Sequence, residues 1–252
     1  MRAFEWLVLV YAAVFGLRGA ARPRAARSAP AVGLSLLTAA CVALVHGMRG
    51  PLPLIVPGLY LIAGYWLPAL VVGKRADAGA PRFESWLSQT DTWLRPSLPR
   101  VPASLVALIE TAYLLCYPIV PLSLAIVWWI DGADAVPRFW TTVLVAGFAC
   151  YASLPWLLSR PPGRSGLQTL TLRTVNRSVL ATVSHQWTTF PSGHVAVAWA
   201  AAFAVARASV AAGAVFAVVA LGVTVGAAAG RYHYVIDVLL GMIVALVAVV
   251  IT

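Results

Sequence analysis

The feature that most constrains the fold is a succession of long apolar runs, separated by short polar segments rich in arginine and proline. One helical crossing of a bilayer needs about 20 mostly apolar residues, and the 252-residue chain contains up to eight such runs. Hydrophobic residues make up 61% of the chain and charged residues only 10%, which excludes an ordinary soluble domain. The sequence therefore predicts an all-α, polytopic membrane protein built as a bundle of transmembrane helices.

The apolar runs give approximate positions for the predicted spans. They cover residues 4–17, 29–46, 55–73, 101–130, 138–158, 194–205, 210–229 and 233–252. The fourth run is longer than one crossing needs and contains Pro118 and Pro121, so we expect a kinked span there. We expect residues 1–54 to form N-terminal transmembrane helices and residues 55–252 to form the main core.

The polar region between residues 74 and 100 has a different pattern from the spans. Phe83, Trp86 and Trp93 alternate with polar side chains in this region. The pattern predicts a short amphipathic helix lying at the level of the lipid headgroups, where tryptophan is favoured. The alternative is a lid over a substrate entrance.

The formal net charge of +10 comes almost entirely from arginine and is spread over the loops. Basic loops beside membrane spans arise from topology, so we expect no nucleic-acid partner and infer that anionic lipid headgroups are the partner. Counting crossings places fourteen of the eighteen Lys and Arg residues on one side, all except Arg2, Arg49, Arg138 and Arg207. The positive-inside rule predicts that this side is cytoplasmic. Nothing in the pattern indicates an oligomeric state.

Two short segments near the end of the chain carry the candidate chemistry. The first is Phe-Pro-Ser-Gly-His at residues 190–194, directly before an apolar run. A Ser-Gly pair ahead of a helix leaves backbone N–H groups free to bind an anion, and the helix dipole adds positive charge at the same point. We therefore expect Ser192 and Gly193 to contribute to a phosphate site beside His194.

The second segment is Gly-Arg-Tyr-His-Tyr-Val-Ile-Asp at residues 230–237. If a helix begins near Tyr232, His233 and Asp237 share one face of it. The carboxylate would then hold one imidazole nitrogen and make the other a better nucleophile. Two histidines with one carboxylate suit phosphoryl transfer, because His233 can attack phosphorus while His194 protonates the leaving oxygen.

Several other residues are candidates for binding the phosphate. A guanidinium group can contact two phosphate oxygens at once, which makes Arg160, Arg164 and Arg231 candidate ligands. Arg173, in the loop that precedes the first segment, is a candidate contact for the headgroup. His185 in the same loop has no partner pattern, and we interpret it as incidental.

Glu110 is an acidic residue within a predicted span, with Tyr113 on about the same face of the helix. A carboxylate at that depth is costly unless it is paired or faces a polar cavity. Glu110 and Tyr113 therefore either bind the substrate or form a structural pair with an Arg or a Tyr. The three cysteines lie in apolar segments without metal-ligand spacing, and no carboxylate cluster is visible, so we expect no metal and no cofactor.

Pro191-Ser192-Gly193-His194 and His233-x-x-x-Asp237 resemble the second and third motifs of the phosphatidic acid phosphatase type 2 superfamily. The family's first motif, Lys, six residues, then Arg-Pro, is matched by Arg160-Pro161, with Ser153 in place of the Lys. The third motif usually begins Ser-Arg, where this chain has Gly226 and Ala227, and Arg231 lies two residues before His233. Together with Arg173-x-x-Asn176, this form is more similar to the inositol phosphorylceramide synthase-like branch. The resemblance covers roughly residues 100–252.

The resemblance implies a six-helix phosphatase core, preceded here by about two transmembrane helices and the amphipathic helix. It also implies transfer of a phosphoryl group from a lipid phosphate or phospholipid through a phosphohistidine. With water as acceptor the protein is a lipid phosphate phosphatase, and with a hydroxyl acceptor it is a lipid phosphotransferase. The third alternative is a transporter or structural membrane protein with an inactive site. Many relatives act on the outer or lumenal face, opposite to the face that the charge bias favours.

Overall fold

The computed structural model describes residues 1–21, 28–72, 81–94, 102–162, 174–176, 178, 184, 185 and 187–252. Within these residues every regular element is a helix, and strand-like pairing is confined to a single bridge between Ser159 and Thr188. The all-α fold class is therefore confirmed for this part of the chain. The α-helices are α1 (Ala3–Ala20), α2 (Ser28–His46), α3 (Leu52–Ile55), α4 (Pro57–Val72), α5 (Pro81–Leu94), α6 (Ala103–Leu114), α7 (Ile119–Asp131), α8 (Val136–Ala152), α9 (Gly193–Ala208), α10 (Val210–Ala229) and α11 (Val235–Ile251).

Five helical stretches are long and apolar enough to cross a membrane, and the number rises to six if α6 and α7 form one bent span. Such a set of helices indicates a multi-pass membrane protein. The five are α1, α2, the combined stretch Leu52–Val72, the stretch Ala133–Ala152 and α10. Helices α9 and α11 are apolar but shorter, with 16 and 17 residues.

The helix ends differ from the predicted ends where proline or capping decides them. The third predicted span begins with the short helix α3 and a break at Val56, because Pro57 starts α4 and lacks an N–H to donate. Helix α8 ends at Ala152 rather than at residue 158, since Pro155 follows three residues later. The predicted kink is present. Residues 115–118 separate α6 from α7, and the two helices are inclined to each other by 57°.

Helix α9 lies at the centre of the bundle and packs against α7, α8, α10 and α11. Its alanines at positions 196, 198, 200 and 201 are completely buried. Small side chains let membrane helices approach closely, and a Cβ atom added to Gly213 of α10 would lie only 2.4 Å from Ala206 Cα. The N-terminal helices α1 and α2 pack on each other and on α4, which packs on α8.

Helix α5 is amphipathic, as predicted. Leu87 is fully buried in a cluster with Phe190 and Tyr234, whereas Trp93 is 82% exposed. The inner face therefore packs on the segments that carry the two candidate histidines. The exposed tryptophan side chain remains available to the headgroup region.

Contacts between loops establish which parts of the chain share one end of the bundle. The Glu84 carboxylate accepts a hydrogen bond from the Arg160 backbone N–H, and the Asp91 carboxylate accepts one from the Val235 N–H. The Arg18 guanidinium lies 4.1 Å from the centre of the Trp156 ring. These contacts place α5, the segment after α8 and the start of α11 at one end.

Candidate functional site

His233 and Asp237 form a buried hydrogen-bonded pair. His233 Nδ1 lies 2.6 Å from Asp237 Oδ2, and the two residues are 4% and 1% exposed. Helix α11 begins only at Val235, with Tyr234 as its N-cap residue, so the expectation that the helix begins near Tyr232 is wrong. His233 lies in the turn before α11, two residues ahead of the first helical residue. Its side chain reaches Asp237, which lies in the first turn of that helix.

The imidazole of His194 lies beside that of His233. His194 is the second residue of α9, and its Nδ1 atom is 3.4 Å from His233 Nε2, with the ring centroids 5.7 Å apart. If Asp237 accepts the Nδ1 proton of His233, Nε2 of that ring carries the lone pair. His194 then donates its Nδ1–H to it. The fold therefore brings together the two histidines and the aspartate that the sequence singled out.

Ser192 and Gly193 do not form the open anion cradle that we expected. The Ser192 N–H donates to the Asp237 carbonyl oxygen at 3.1 Å, and the Gly193 N–H donates to Thr189 Oγ1 at 3.1 Å. The Ser192 hydroxyl caps α9 by accepting a hydrogen bond from the Val195 N–H. Both N–H groups are therefore occupied within the protein, and the motif joins the start of α9 to α11.

Two glycines make this junction close. A Cβ atom on Gly193 would lie 2.3 Å from a ring carbon of Tyr151, and one on Gly241 would lie 2.7 Å from the Ser192 carbonyl oxygen. Neither distance is tolerated between nonbonded atoms. Position 193 therefore requires glycine for packing, whatever its role toward a ligand.

Arg231 has a strained backbone and a half-buried side chain next to the histidine pair. Its φ angle is 58°, in the left-handed region that residues other than glycine rarely occupy. Its Nε atom is buried and has no hydrogen-bond partner among the described residues. A buried donor without an acceptor is costly, so this guanidinium is suited to an anionic ligand.

Close packing between α6 and α10 requires small residues at positions 226 and 227. A Cβ atom on Gly226 would lie 2.9 Å from the Tyr113 backbone nitrogen. Ala227 is completely buried, and its carbonyl oxygen accepts hydrogen bonds from the backbone N–H groups of Tyr232 and His233, both at 3.0 Å. An arginine at position 227 would not fit there. Arg231, two residues before His233, is the nearest arginine to it in the sequence.

Arg160 lies at the surface and not in contact with the histidine pair. Its guanidinium carbon is 5.5 Å from the centre of the Trp187 ring. The preceding residue, Ser159, is bridged to Thr188, with their hydroxyl oxygens 2.6 Å apart. This bridge holds the Arg160 segment beside the chain that leads into His194. Arg164 and Arg173 lie outside the described residues.

Glu110 is paired within the protein. The fully buried carboxylate accepts hydrogen bonds from the Tyr232 hydroxyl and from the Asn176 amide, the latter at 2.6 Å. Tyr113 stacks on Tyr232 with ring centroids 3.9 Å apart and lies 5.8 Å from the His194 ring. Of the two alternatives for Glu110, the structure has the pair with a tyrosine, and it places Tyr113 next to the site.

His185, which we interpreted as incidental, lies near His194. Its ring stacks on Tyr65 at 4.2 Å, and its Nδ1 accepts a hydrogen bond from the Trp187 N–H at 3.2 Å. Burial lowers the pKa of His185 to about 4, so the ring is neutral near pH 7 with its proton on Nε2. That Nε2 is buried and has no partner among the described residues. No sequence motif marks this position, because its burial depends on α4 and the loop coming together.

Among the described residues, no group of three or more His, Cys, Asp and Glu side chains could hold a metal ion. The chain matches no family model, no curated protein and no solved structure.

Proposed function

We propose that this protein is an integral membrane enzyme that removes the phosphoryl group from a lipid phosphate, through a phosphohistidine at His233 and with water as the final acceptor. The observation that carries the proposal is the hydrogen-bonded chain Asp237–His233–His194, with contacts of 2.6 Å and 3.4 Å and with Asp237 and His233 buried. A carboxylate behind one imidazole and a second imidazole in front of it form a nucleophile and a general acid–base group.

In the first step, Asp237 keeps the proton on Nδ1 of His233, and Nε2 attacks phosphorus. The P–N bond forms while the P–O bond to the lipid breaks, and His194, which enters the step as an imidazolium, gives a proton to the departing lipid oxygen and becomes neutral. In the second step, His194 takes a proton from water, the water oxygen attacks phosphorus and the P–N bond breaks. The products are inorganic phosphate and the lipid alcohol, with both histidines restored.

The direct contact between the histidines sets a requirement on substrate binding. Reacting atoms approach to about 3–3.5 Å before attack, and the nitrogen atoms of the two rings are themselves only 3.4 Å apart. The phosphoryl group must therefore displace the His194 ring from His233. The Tyr117 ring lies 6.4 Å from the His194 ring, and Tyr117 is 37% exposed. The site is therefore less enclosed on this side of His194.

Arg231 is the leading candidate for stabilising the charge that develops on the phosphoryl oxygens, because its buried Nε has no partner among the described residues. Arg160 is exposed and lies beside Trp187 at the surface. Its long side chain would contact a headgroup that enters the site. Arg164 and Arg173 remain candidates for the same task. Helices α4 and α6–α11, with α6 and α7 counted as one bent span, would form the six-helix core that the motif resemblance implies.

The surroundings of the site support a lipid substrate. The pair lies at the start of two apolar helices in a chain with five to six helices able to cross a membrane. The amphipathic helix α5 packs beside it with two exposed tryptophans, Trp86 and Trp93. A phosphate attached to an acyl chain would present its headgroup at this level.

The test uses purified protein in detergent and a panel of lipid phosphates, with and without diacylglycerol or myo-inositol. Release of inorganic phosphate that does not depend on an added alcohol supports the phosphatase. Stoichiometric formation of a new phospholipid supports the phosphotransferase instead. His233→Ala should abolish either reaction, whereas Asp134→Ala, an exposed acid at the other end of the bundle, should not. Folded protein with no turnover on the whole panel would favour the transporter or structural alternative. Reporter fusions after residues 28, 135 and 252 would determine which face carries the site.

A further inference from the structure

We propose that Asp91 of α5 and Glu110 of α6 are positioning residues that hold the His233 turn, defined as residues 231–234, from its two sides. Asp91 contacts Val235 and Glu110 contacts Tyr232, one on each side of His233. The inference rests on the proposed function for its effect on turnover, but it also makes a prediction about the turn itself.

Asp91 holds the side of the turn that leads into α11. Its Oδ1 accepts a hydrogen bond at 3.0 Å from the backbone N–H of Val235, the first residue of that helix. The N-cap residue, Tyr234, provides no side-chain cap. A carboxylate from a different helix thus does the work of an N-cap and complements the positive end of the helix dipole. Asp91 is 7% exposed, so the contact is shielded from water.

The position of Asp91 is fixed by the packing of α5. Leu87, one turn earlier, is fully buried against Phe190 and Tyr234, and Phe83 meets the Phe190 ring edge-on at 5.2 Å. Phe190 begins the segment that leads to His194. Helix α5 therefore contacts both histidine-bearing segments at once, which a helix held only by lipid headgroups would not do.

Glu110 holds the other side of the turn. It accepts a hydrogen bond from the hydroxyl of Tyr232, the residue directly before His233. The Tyr232 ring is clamped in addition by parallel stacking on Tyr113 at an interplanar angle of 1°. With Tyr232 fixed at its ring and at its hydroxyl, the backbone on both sides of it has little freedom.

The turn needs such support because it contains an unfavourable backbone conformation. Arg231 has a φ angle of 58°, and a residue other than glycine leaves the left-handed region when its surroundings allow it. Relaxation there would move both the Arg231 guanidinium and the His233 ring. Displacements of about 1 Å can lower the rate of a positioned reaction about a hundredfold.

The test compares variants that loosen each contact with variants that preserve it. Asp91→Ala removes the cap and Asp91→Asn keeps an oxygen at the same place, since Asn caps helices as well as Asp does. Tyr232→Phe removes only the hydroxyl and keeps the stacked ring, and Glu110→Gln removes the charge. Asp134→Ala is the matched acidic control.

We expect Asp91→Ala and Tyr232→Phe to lower kcat about 10- to 100-fold with KM nearly unchanged, and Asp91→Asn to stay within about threefold of the original protein. Because Glu110 and Tyr232 act through one hydrogen bond, the double variant Glu110→Gln/Tyr232→Phe should be no slower than the worse single variant. Equal kcat in Asp91→Ala and the original protein, or equal losses in Asp91→Ala and Asp91→Asn, would overturn the role of Asp91. Additive losses would overturn the role of Glu110.

A second measurement does not depend on turnover. Diethyl pyrocarbonate modifies accessible histidines, and mass spectrometry locates the label. His233 is 4% exposed, so it should react slowly in the original protein and several-fold faster in Asp91→Ala and Tyr232→Phe. His46, at the other end of the bundle, should react at the same rate in all variants. Unchanged labelling of His233 would refute the clamp even if the protein is active, whereas faster labelling in a protein inert toward every lipid phosphate would retain the clamp and refute the proposed function.

Discussion

Replacing Arg231 by glycine separates the cost of its backbone from the use of its side chain. At a φ angle of 58°, a residue other than glycine costs about 1–2 kcal/mol. Glycine avoids that cost but loses about 0.5–1 kcal/mol through the greater freedom of the unfolded chain. The backbone terms together change the free energy of unfolding by between about zero and 1.5 kcal/mol in favour of Arg231→Gly.

The same substitution removes the guanidinium group that is nearest to His233 in the sequence, two residues before it. A hydrogen bond to a charged group contributes about 1.5–3 kcal/mol, and about 1.4 kcal/mol corresponds to a tenfold change in rate. We therefore expect kcat/KM toward a short-chain phosphatidic acid in detergent micelles to fall about 10- to 160-fold. The apparent Tm, followed by tryptophan fluorescence, should stay the same or rise.

Two further variants make the result specific to the guanidinium. Arg231→Ala loses the same side chain but keeps the strained backbone. It should therefore match Arg231→Gly in activity and unfold at a lower temperature than Arg231→Gly. Arg49→Ala, which changes an exposed arginine after α2, should alter neither quantity. If Arg231→Gly kept full activity, or lost activity and stability in proportion, Arg231 would not be a phosphate ligand.

Four other predictions follow from the contacts of the site. Asp237→Asn should lower kcat about 10²- to 10⁴-fold while leaving α11 intact, because a neutral amide can offer His233 either a donor or an acceptor and no longer fixes its tautomer; a loss under threefold would argue against the pair. His194→Ala should nearly abolish the first step with alkyl phosphates but leave a burst of p-nitrophenol from p-nitrophenyl phosphate, whose leaving group needs no proton, while the second step loses its base with either substrate; absence of the burst would remove the general-acid role. Gly226→Ala should lower stability by about 1–3 kcal/mol, since its Cβ would lie 2.9 Å from the Tyr113 nitrogen, whereas Gly33→Ala, with open space around it, should not. As the pH falls from about 6.5 to about 4, the unfolded chain binds a proton that the folded His185 excludes, so stability should fall in that range and fall less in His185→Phe.

The helical class and most span positions could be predicted because long apolar runs depend on composition alone. The second span was predicted as residues 29–46 and is Ser28–His46, and the seventh was predicted as residues 210–229 and is Val210–Ala229. Ends were wrong where a local cap competed with the apolar pattern, as at Tyr234, which delays the start of α11. The spacing of apolar residues does not show whether the helix begins before or after a residue such as Tyr234.

The candidate site was predictable to the extent that motifs carry it. His194, His233 and Asp237 stand in short patterns, and the fold places them within hydrogen-bonding distance. Asp91 contacts Val235, which is 144 residues away in the sequence. His185 is buried because the loop that carries it packs against Tyr65 of α4. Local sequence patterns indicate neither contact. The Ser192 and Gly193 N–H groups were assigned to an anion because the sequence does not indicate that Thr189 and Asp237 satisfy them first.

Gly241 lies within α11, well away from both imidazoles in sequence, yet the carbonyl oxygen of Ser192 rests where its side chain would be. Because Gly241 has no side chain, the start of α9, which carries His194, can approach α11, which follows His233, this closely. A larger residue at position 241 would push α11 away from the start of α9 and widen the gap between the His194 and His233 rings without replacing either ring. The spacing of the two imidazoles is therefore set in part by a residue that is neither of them.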